Sequence, residues 1–343
     1  MLKEALLYEK LANNKVRCLL CNHKCIIPDN STGICRVRKN NNGTLITLVY
    51  DKIIARHMDP IEKKPLFHFL PGSISYSIAT AGCNFKCSFC QNSDISQMPV
   101  DHNRILGENI PPEKLVDEAE AGNASTIAYT YTEPTIYYEL AKETARIATS
   151  RGIKNIFVSN GYISIECLDD ISGYLHGANI DLKAFNDEFY KKQCGARLEP
   201  VLNTIKKMVE MGTWIEITTL LIPGLNDSEE ELTKLAEFIA EQNVDIPWHI
   251  SRFHPTYKLL NVLPTSPEKI HIAEQIGHKA GLRYVYTGNI PGDEGEKTKC
   301  HNCGNLLIDR YGFYVNFNNI KNGRCPVCNS LIPGIWNKGG TNT

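Results

Sequence analysis

Three closely spaced cysteines are the residues of this sequence with the clearest capacity for chemistry. Cys83, Cys87 and Cys90 follow the pattern Cys-x3-Cys-x2-Cys, so their thiols fall within one short loop. Iron–sulfur clusters that only carry electrons usually have four cysteine ligands, so three cysteines leave one iron open to another ligand. The spacing therefore predicts a 4Fe-4S cluster with one open iron. The alternative is a zinc site that takes its fourth ligand from elsewhere in the chain.

Four cysteines near the C-terminus form a second candidate metal site. Cys300-x2-Cys303 and Cys325-x2-Cys328 are two knuckles, and the segment GFYVNF between them is predicted to be a strand. Paired knuckles are typical of a zinc ribbon, in which four thiolates surround one ion in a closed tetrahedron. We expect zinc here, although a rubredoxin-like single iron uses a similar arrangement.

A third set of four cysteines lies near the N-terminus. Cys18, Cys21, Cys25 and Cys35 supply enough ligands for a separate metal site, and His23 is a substitute ligand for one thiol. Their spacing lacks the repeated short interval of a ferredoxin motif. Zinc, an auxiliary iron–sulfur cluster and unmetallated thiols therefore all remain open.

Composition limits the classes of protein to which the chain can belong. Its 343 residues carry 37 Lys+Arg and 38 Asp+Glu, a net charge of -1, so no overall field attracts nucleic acid or anionic lipid. No stretch approaches the roughly 20 apolar residues of a membrane span, and the first residues are charged where a signal peptide would be apolar. We expect a cytoplasmic protein without nucleic-acid or membrane partners, in which clustered cysteines hold metal rather than form disulfides.

The elements that must position these cysteines alternate between short apolar runs and amphipathic stretches. The predicted strands cover residues 74–80, 125–132, 154–160, 178–184, 214–222, 248–253 and 283–288. The predicted helices begin near Pro112, Thr135, Ser164, Pro200, Ser228 and Pro267. Repeated strand-helix units form a parallel sheet with right-handed crossovers. We predict an α/β fold with a partial (β/α) TIM-like barrel, and an open doubly wound sheet is the alternative.

The cysteine-rich ends divide the chain into three predicted parts. Residues 1–73 form an N-terminal Cys-rich segment, residues 74–292 the partial barrel, and residues 293–343 a zinc-ribbon-like module after the linker GDEGEK. In either architecture functional residues gather at the carboxyl ends of the strands. The candidates at these ends, besides the central cysteines, are Glu133, Asn160, Asp181, Lys183, Asn226, Asp227 and His254.

The central motif, with the aromatic Phe89 before its last cysteine, resembles the signature of the radical S-adenosylmethionine (SAM) superfamily. The resemblance extends toward the activating enzymes of pyruvate formate-lyase, and most closely toward the radical SAM member of the AmmeMemoRadiSam system. The segments that carry it are CLLCNHKCIIPDNSTGICRVR, ATAGCNFKCSFCQN, YTYTEPT, VSNGY, DLKAFND, LLIPGLND, HISRFHP and CPVCNSLIPGIW.

This resemblance implies both the chemistry and the residues that bind the cofactor. In the superfamily, SAM chelates the open iron, and an electron from the cluster cleaves it to a 5′-deoxyadenosyl radical that abstracts hydrogen from a substrate. Glu133 matches the acidic residue of the family's Gly-Gly-Glu-Pro turn, although Tyr131 and Thr132 replace the glycines. The alternative for Glu133 is a solvated loop carboxylate. Asn160 matches the Thr-Asn-Gly turn, although Val158 replaces a residue that is often acidic.

Three further residues are matched to the family's SAM contacts. Asp181 and Lys183 correspond to an Asp-x-Lys that engages the SAM carboxylate region, and His254 lies in an HP context that contacts SAM. His249 is a further candidate, with a packed histidine as the alternative. Cys194 is a candidate radical quencher or extra ligand, with a small buried thiol as the alternative.

The resemblance also implies partners and leaves the substrate unidentified. A low-potential electron donor is required, a protein is a candidate substrate, and Memo-like and AMMECR-like proteins are candidate functional partners. A glycyl-radical enzyme activase is the nearest alternative. A zinc-ribbon protein that binds nucleic acid or another protein is the alternative from a different class, and radical modification of RNA is disfavoured by the neutral charge.

Overall fold

One eight-stranded sheet organises the computed structural model, which describes residues 3–337. Its strands are Ala55–Pro60 (β1), Ile74–Ala79 (β2), Thr126–Tyr129 (β3), Lys154–Ser159 (β4), Gly177–Asp181 (β5), Trp214–Leu221 (β6), Trp248–Arg252 (β7) and Val285–Gly288 (β8). They lie in the order β8-β7-β6-β5-β4-β3-β2-β1. Every neighbouring pair is parallel except β1 and β2, which are antiparallel.

One main helix follows each strand from β2 to β7. These helices are Pro112–Ala121 (α1), Tyr138–Ser150 (α2), Ile165–Ile171 (α3), Glu199–Glu210 (α4), Glu229–Gln242 (α5) and Pro267–Lys279 (α6). The side chains of Ser164, Ser228 and Ser266 accept hydrogen bonds from the first turns of α3, α5 and α6, which explains where these helices begin. In residues 3–337, no helix is long and apolar enough to cross a membrane.

The strand order confirms the predicted partial barrel. The parallel strands follow one another in sequence order without the reversal that defines a doubly wound sheet. Among the described residues β1 and β8 remain at opposite edges, so the barrel is open. All seven predicted strands are present within a few residues of their expected limits.

The connections also contain shorter helices. These are Ile61–Lys63, Ser93–Ser96, Met98–Asp101, Pro134–Tyr137, Asp187–Phe189 and Tyr190–Cys194. The helix expected near Thr135 therefore begins with a 3-10 turn before α2.

The N-terminal part is built from short antiparallel strands. One small sheet contains Lys3–Glu4, Arg38–Asn41 and Thr44–Thr47; a second contains Tyr8–Lys10, Val16–Cys18 and Ile26–Ile27; and Lys52–Ile53 pairs with Glu108–Asn109. A buried ion pair of 2.8 Å between Arg38 and Glu139 attaches this part to α2. β1 also lies within residues 1–73, but it pairs along its whole length with β2 of the barrel sheet. The alternating pattern did not predict β1.

The C-terminal part packs against the amino-terminal end of the barrel. Its three antiparallel strands are Thr298–Lys299, Leu306–Tyr311 and Tyr314–Asn318. Arg310 donates a hydrogen bond of 2.7 Å to the carbonyl of Phe67, just before β2. The predicted strand GFYVNF is only partly correct, because Gly312 and Phe313 form the turn of a hairpin.

Candidate active site

The three central cysteines lie in the loop that leaves the carboxyl end of β2. Cys87 is buried, Cys83 and Cys90 are partly buried, and none of them forms a disulfide. The 190–194 helix supports this loop, because the backbone N–H groups of Lys86 and Ser88 donate hydrogen bonds to carbonyls near the end of that helix. The three thiols are thus presented by one supported loop at the end of the barrel where chemistry is expected.

Asn160 extends from the end of β4 to this loop. Its Nδ2 lies 2.7 Å from Oδ1 of Asn84 and 3.9 Å from Sγ of Cys83. The Nδ2 of Asn84 is buried and has no hydrogen-bond partner among the described residues. A buried donor without a partner beside a thiol is costly unless a bound group accepts its hydrogen bond. The site therefore suits a polar or anionic ligand.

Glu133 joins the ends of β3 and β4. Its Oε1 accepts hydrogen bonds from Thr135 and from Oγ of Ser159, and its Oε2 accepts one of 2.9 Å from the backbone N–H of Asn160. Burial raises the pKa of this carboxyl, while these donors act in the opposite direction. The alternative of a solvated loop carboxylate is wrong, because Glu133 is only 2% exposed.

Asp181 and Lys183 form an ion pair at the end of β5. The Nζ of Lys183 lies 2.8 Å from Oδ2 of Asp181 and 5.9 Å from the centre of the Phe89 ring, within the cysteine loop. Burial lowers the pKa of Lys183, but Asp181 and the thiols of Cys87 and Cys194 raise it to a net value well above normal. The ion pair with Asp181 therefore favours a charged ammonium group beside the cysteines.

Asn226, in the connection between β6 and α5, supports this ion pair. Its Nδ2 donates a hydrogen bond of 2.6 Å to the carbonyl of Lys183 and another of 2.9 Å to that of Leu220. Asp227, its neighbour, accepts instead from the backbone N–H of Gly224. Asn226 thus positions Lys183, whereas Asp227 shapes its own turn.

Cys194 lies beside the central cysteines. It is fully buried, and its thiol interacts with that of Cys87 and lowers the pKa of Cys87. The alternative prediction, a small buried thiol, is correct in that Cys194 is buried. It did not include the interaction with Cys87. No spacing in the sequence indicated it, because 106 residues separate Cys87 from Cys194 and the contact depends on the 190–194 helix.

The two histidines of β7 and its following loop occupy different environments. His249 is buried in the amino-terminal half of the strand, where its Nε2 lies 2.7 Å from Oε2 of Glu216. His254 is exposed, and no contact joins it to the three cysteines in the described part of the chain. Its loop does reach them, since the N–H of Lys258 donates a 3.0 Å hydrogen bond to the carbonyl of Ser88.

The C-terminal cysteines converge closely. The sulfur atoms of all four lie within 4.8 Å of one another: Cys300, Cys303, Cys325 and Cys328. The knuckles have matching backbone bonds, since Gly304 N–H donates to the Cys300 carbonyl and Asn329 N–H to the Cys325 carbonyl. Zn–S bonds of about 2.3 Å separate tetrahedral thiolates by somewhat less than about 4 Å. The arrangement can hold one such ion.

The N-terminal cysteines line one small cavity next to the central loop. The cavity also includes His23, Arg38 and Asn84 in its walls. The Nε2 of His23 lies 2.8 Å from the carbonyl oxygen of Asn84. The four thiols thus share a space, and His23 bridges it to the loop that carries Cys83.

Comparisons with known proteins relate the chain to one superfamily. The family model described as "Radical SAM superfamily" matches residues 77–236, which include the central cysteines and the ends of β3, β4 and β5. An uncharacterized protein of Methanocaldococcus jannaschii is 45% identical over 334 residues, covering 96% of this chain and 99% of its own length. The pyruvate formate-lyase-activating enzyme of Staphylococcus epidermidis is 25% identical over 243 residues, covering 64% of this chain and 92% of its own.

A solved structure supports the fold. The crystal structure of a radical SAM methyltransferase from Sphaerobacter thermophilus superposes with a TM-score of 0.51 at 19% identity. The match covers 66% of this chain and 71% of that one. At this identity the likeness concerns the architecture of the barrel alone.

Proposed function

Because the chain belongs to the radical SAM superfamily, we propose that Cys83, Cys87 and Cys90 are the ligands of its 4Fe-4S cluster. When bound, the cluster supplies the electron that cleaves SAM to methionine and a 5′-deoxyadenosyl radical, the general chemistry of this enzyme superfamily. The observation that carries the assignment is the presentation of three free thiols by one loop at the carboxyl end of β2. Their number suits a cluster with one iron left for SAM.

The charged and amide groups around the loop are proposed to bind SAM. Its amino acid moiety has an ammonium and a carboxylate, which require groups of opposite charge or suitable hydrogen bonds. Lys183 and Asp181 carry these charges, and the unpartnered Nδ2 of Asn84 is a further donor held in place by Asn160. Glu133 fixes the position of Asn160.

His254 is proposed to contact SAM from the loop that follows β7. This proposal is supported by the hydrogen bond between Lys258 and Ser88, which ties the loop after β7 to the cysteine loop. An exposed imidazole near the mouth of the barrel can move toward a ligand without breaking a packed core.

The C-terminal cysteines are proposed to hold a structural zinc ion. Four mutually close thiols complete a tetrahedron and leave no open position, which suits a structural role. We propose the parts 1–73, 74–292 and 293–343 as a Cys-rich segment, a radical SAM barrel and a zinc module. The module seals the amino-terminal end of the barrel, opposite the cysteine loop.

We propose a protein substrate and a low-potential one-electron donor. The support is the relative named pyruvate formate-lyase-activating enzyme, whose name specifies a protein target. Activation of a glycyl-radical enzyme is the second candidate function for the same reason, and Memo-like and AMMECR-like proteins are proposed functional partners. A cytoplasmic location is supported by the cysteines, none of which is in a disulfide among the described residues.

The decisive experiment measures SAM cleavage by reduced protein after anaerobic reconstitution with iron and sulfide. Wild type should release 5′-deoxyadenosine and methionine slowly even without substrate. C83S/C87S/C90S should lose this activity, because a hydroxyl replaces a soft thiolate poorly on iron. Glu230→Gln is the control, since it changes an exposed side chain on α5 and should leave cleavage unchanged. The function is rejected if wild type binds SAM but releases no 5′-deoxyadenosine, or if the triple variant still cleaves it.

A test of the zinc module uses the full chain. Cys325→Ser should reduce zinc from about one per chain to nearly none while iron remains unchanged, because a three-thiolate site with one hydroxyl binds zinc weakly. Unchanged zinc in this variant would refute the assignment.

A further inference from the structure

We propose that Cys18, Cys21, Cys25 and Cys35 hold a second iron–sulfur cluster, next to the radical cluster, and not a zinc ion. All four are free cysteines that line the same cavity. Cys18 and Cys35 are buried, and Cys21 and Cys25 are partly buried. The strands around Cys18 and Cys25 are linked by a 3.0 Å hydrogen bond between these two residues, which fixes two of the four ligands.

The spacing of the thiols argues against a single tetrahedral ion. In residues 3–337 the C-terminal cysteines are the only group of three or more potential ligands within 4.8 Å of one another. The N-terminal thiols are more widely spaced, as are the central thiols, to which the superfamily assigns a 4Fe-4S cluster. Thiolates on one zinc must lie less than about 4 Å apart, whereas those of a cluster bind different iron atoms and lie farther apart.

The walls of the cavity suit an anionic, desolvated group. Arg38 is only 2% exposed, and its guanidinium donates to Glu139 and to the carbonyl of Leu6. Its Nε is buried and has no hydrogen-bond partner among the described residues. A cluster bound by four thiolates carries negative charge and sulfur acceptors, which compensate such a donor. Besides His23 and Asn84, the wall contains apolar side chains such as Leu20 and Ile136.

The second cluster would adjoin the first. Asn84, which follows the central ligand Cys83, lines the N-terminal cavity. Gly82, on the other side of Cys83, has a φ of +106°, and a Cβ there would lie 2.8 Å from Val37 and 3.4 Å from the carbonyl oxygen of Cys35. The two cysteine loops therefore pack directly against each other. This adjacency rests on the proposed function of the central cysteines.

The experiment compares metal content in three full-length proteins reconstituted anaerobically with iron and sulfide. C83S/C87S/C90S should keep about half of the wild-type iron, with an equal amount of sulfide, because the four N-terminal cysteines are sufficient ligands for a cluster. C18S/C21S/C25S/C35S should keep the other half. Zinc should remain at about one per chain in all three, from the C-terminal module.

Each alternative has its own result. If C83S/C87S/C90S contains no iron and about two zinc ions, the N-terminal site is a zinc site and the proposal fails. If it contains no iron and only the zinc of the module, the N-terminal thiols are unmetallated and the proposal also fails. If instead the quadruple variant alone loses all iron, the second cluster stands and the proposed function of the central cysteines fails. If the quadruple variant does not fold, Cys25→Ser changes one partly buried ligand and should lower the iron content in the same direction.

Electron paramagnetic resonance tests the adjacency. Two reduced clusters that lie close together should give a wild-type spectrum broadened by magnetic interaction. A wild-type spectrum equal to the sum of the two single-cluster variants would overturn the adjacent placement.

Discussion

The side-chain amide of Asn160 donates a 2.7 Å hydrogen bond to that of Asn84, and this bond joins the end of β4 to the loop with the central cysteines. The backbone N–H of Asn160 donates in turn to Glu133, which follows β3. The carboxyl ends of three adjacent strands are thus connected by buried polar groups. Such a network fixes the loop only while each donor meets an acceptor.

Asn160→Asp tests this network. The substitution keeps the shape of the side chain but replaces the donor with a carboxylate oxygen that faces Oδ1 of Asn84. We expect the cluster to form, because no iron ligand is lost, and the dissociation constant for SAM to rise about tenfold, since a lost buried hydrogen bond costs about 1 to 2 kcal/mol. Isothermal titration with SAM measures the effect. An unchanged dissociation constant would show that Asn160 does not position the binding site.

Lys183→Met tests the positive charge beside the cysteines. Methionine retains much of the length of the side chain but removes the ammonium that pairs with Asp181. The iron content should equal that of wild type, while SAM affinity should fall about tenfold to a hundredfold, because a charge-assisted contact contributes about 1.5 to 3 kcal/mol. Lys183→Arg keeps the positive charge and should lose less SAM affinity than Lys183→Met. A loss of iron in Lys183→Met would instead indicate a role in cluster assembly.

Cys194→Ala tests the contact between this thiol and Cys87. A hydrogen bond to a cluster sulfur stabilises the reduced, more negative state, so its removal should lower the midpoint potential of the cluster. The iron content should not change if Cys194 is not a ligand. A redox titration followed by electron paramagnetic resonance measures the shift. Loss of the cluster, or a higher potential, would contradict this role.

The sequence predicts those parts of the fold that repeat a strong local pattern. The strands from β2 to β8 appear as apolar runs, and Ser164 and Ser228 mark the beginnings of α3 and α5. β1 was missed because it is a mixed segment, ARHMDP, that becomes a strand only by pairing with β2. The N-terminal strands of two to four residues are too short to show any period.

The candidate site likewise has features that the sequence predicts and features that it does not. The cysteine loop could be located because its ligands are close in sequence and follow a strand. The burial of Glu133 and the contact of Cys194 with Cys87 depend on packing between distant segments, which one sequence does not reveal. The docking of the C-terminal module on the amino-terminal end of the barrel likewise depends on Arg310 and its long-range partners.

Glu139→Gln tests the attachment of the N-terminal part to the barrel. Arg38 and Glu139 are 2% and 1% exposed, so loss of the carboxylate leaves a buried guanidinium without its counter-ion. We expect the free energy of unfolding to fall by about 3 kcal/mol. Glu230→Gln is the control, because its ion pair with Lys234 is exposed and should contribute little to stability. Urea unfolding of metal-loaded protein measures both. Equal effects in the two variants would show that the buried pair is not an anchor.

His68→Gln tests a pH dependence built into the amino-terminal end of the barrel. His68 is buried between the carbonyl of Pro333 and the hydroxyl of Tyr286, and burial lowers its pKa to about 4. Below its usual pKa of about 6.5 the unfolded chain therefore binds a proton that the folded protein does not, so stability falls as the pH decreases. This histidine should account for a loss of about 2 kcal/mol between pH 7.5 and pH 5. Glutamine retains hydrogen-bonding groups but does not titrate. The stability of the His68→Gln variant should therefore fall correspondingly less over this pH range. Urea unfolding at several pH values measures the difference, and identical slopes for the two proteins would show that His68 is not the group responsible.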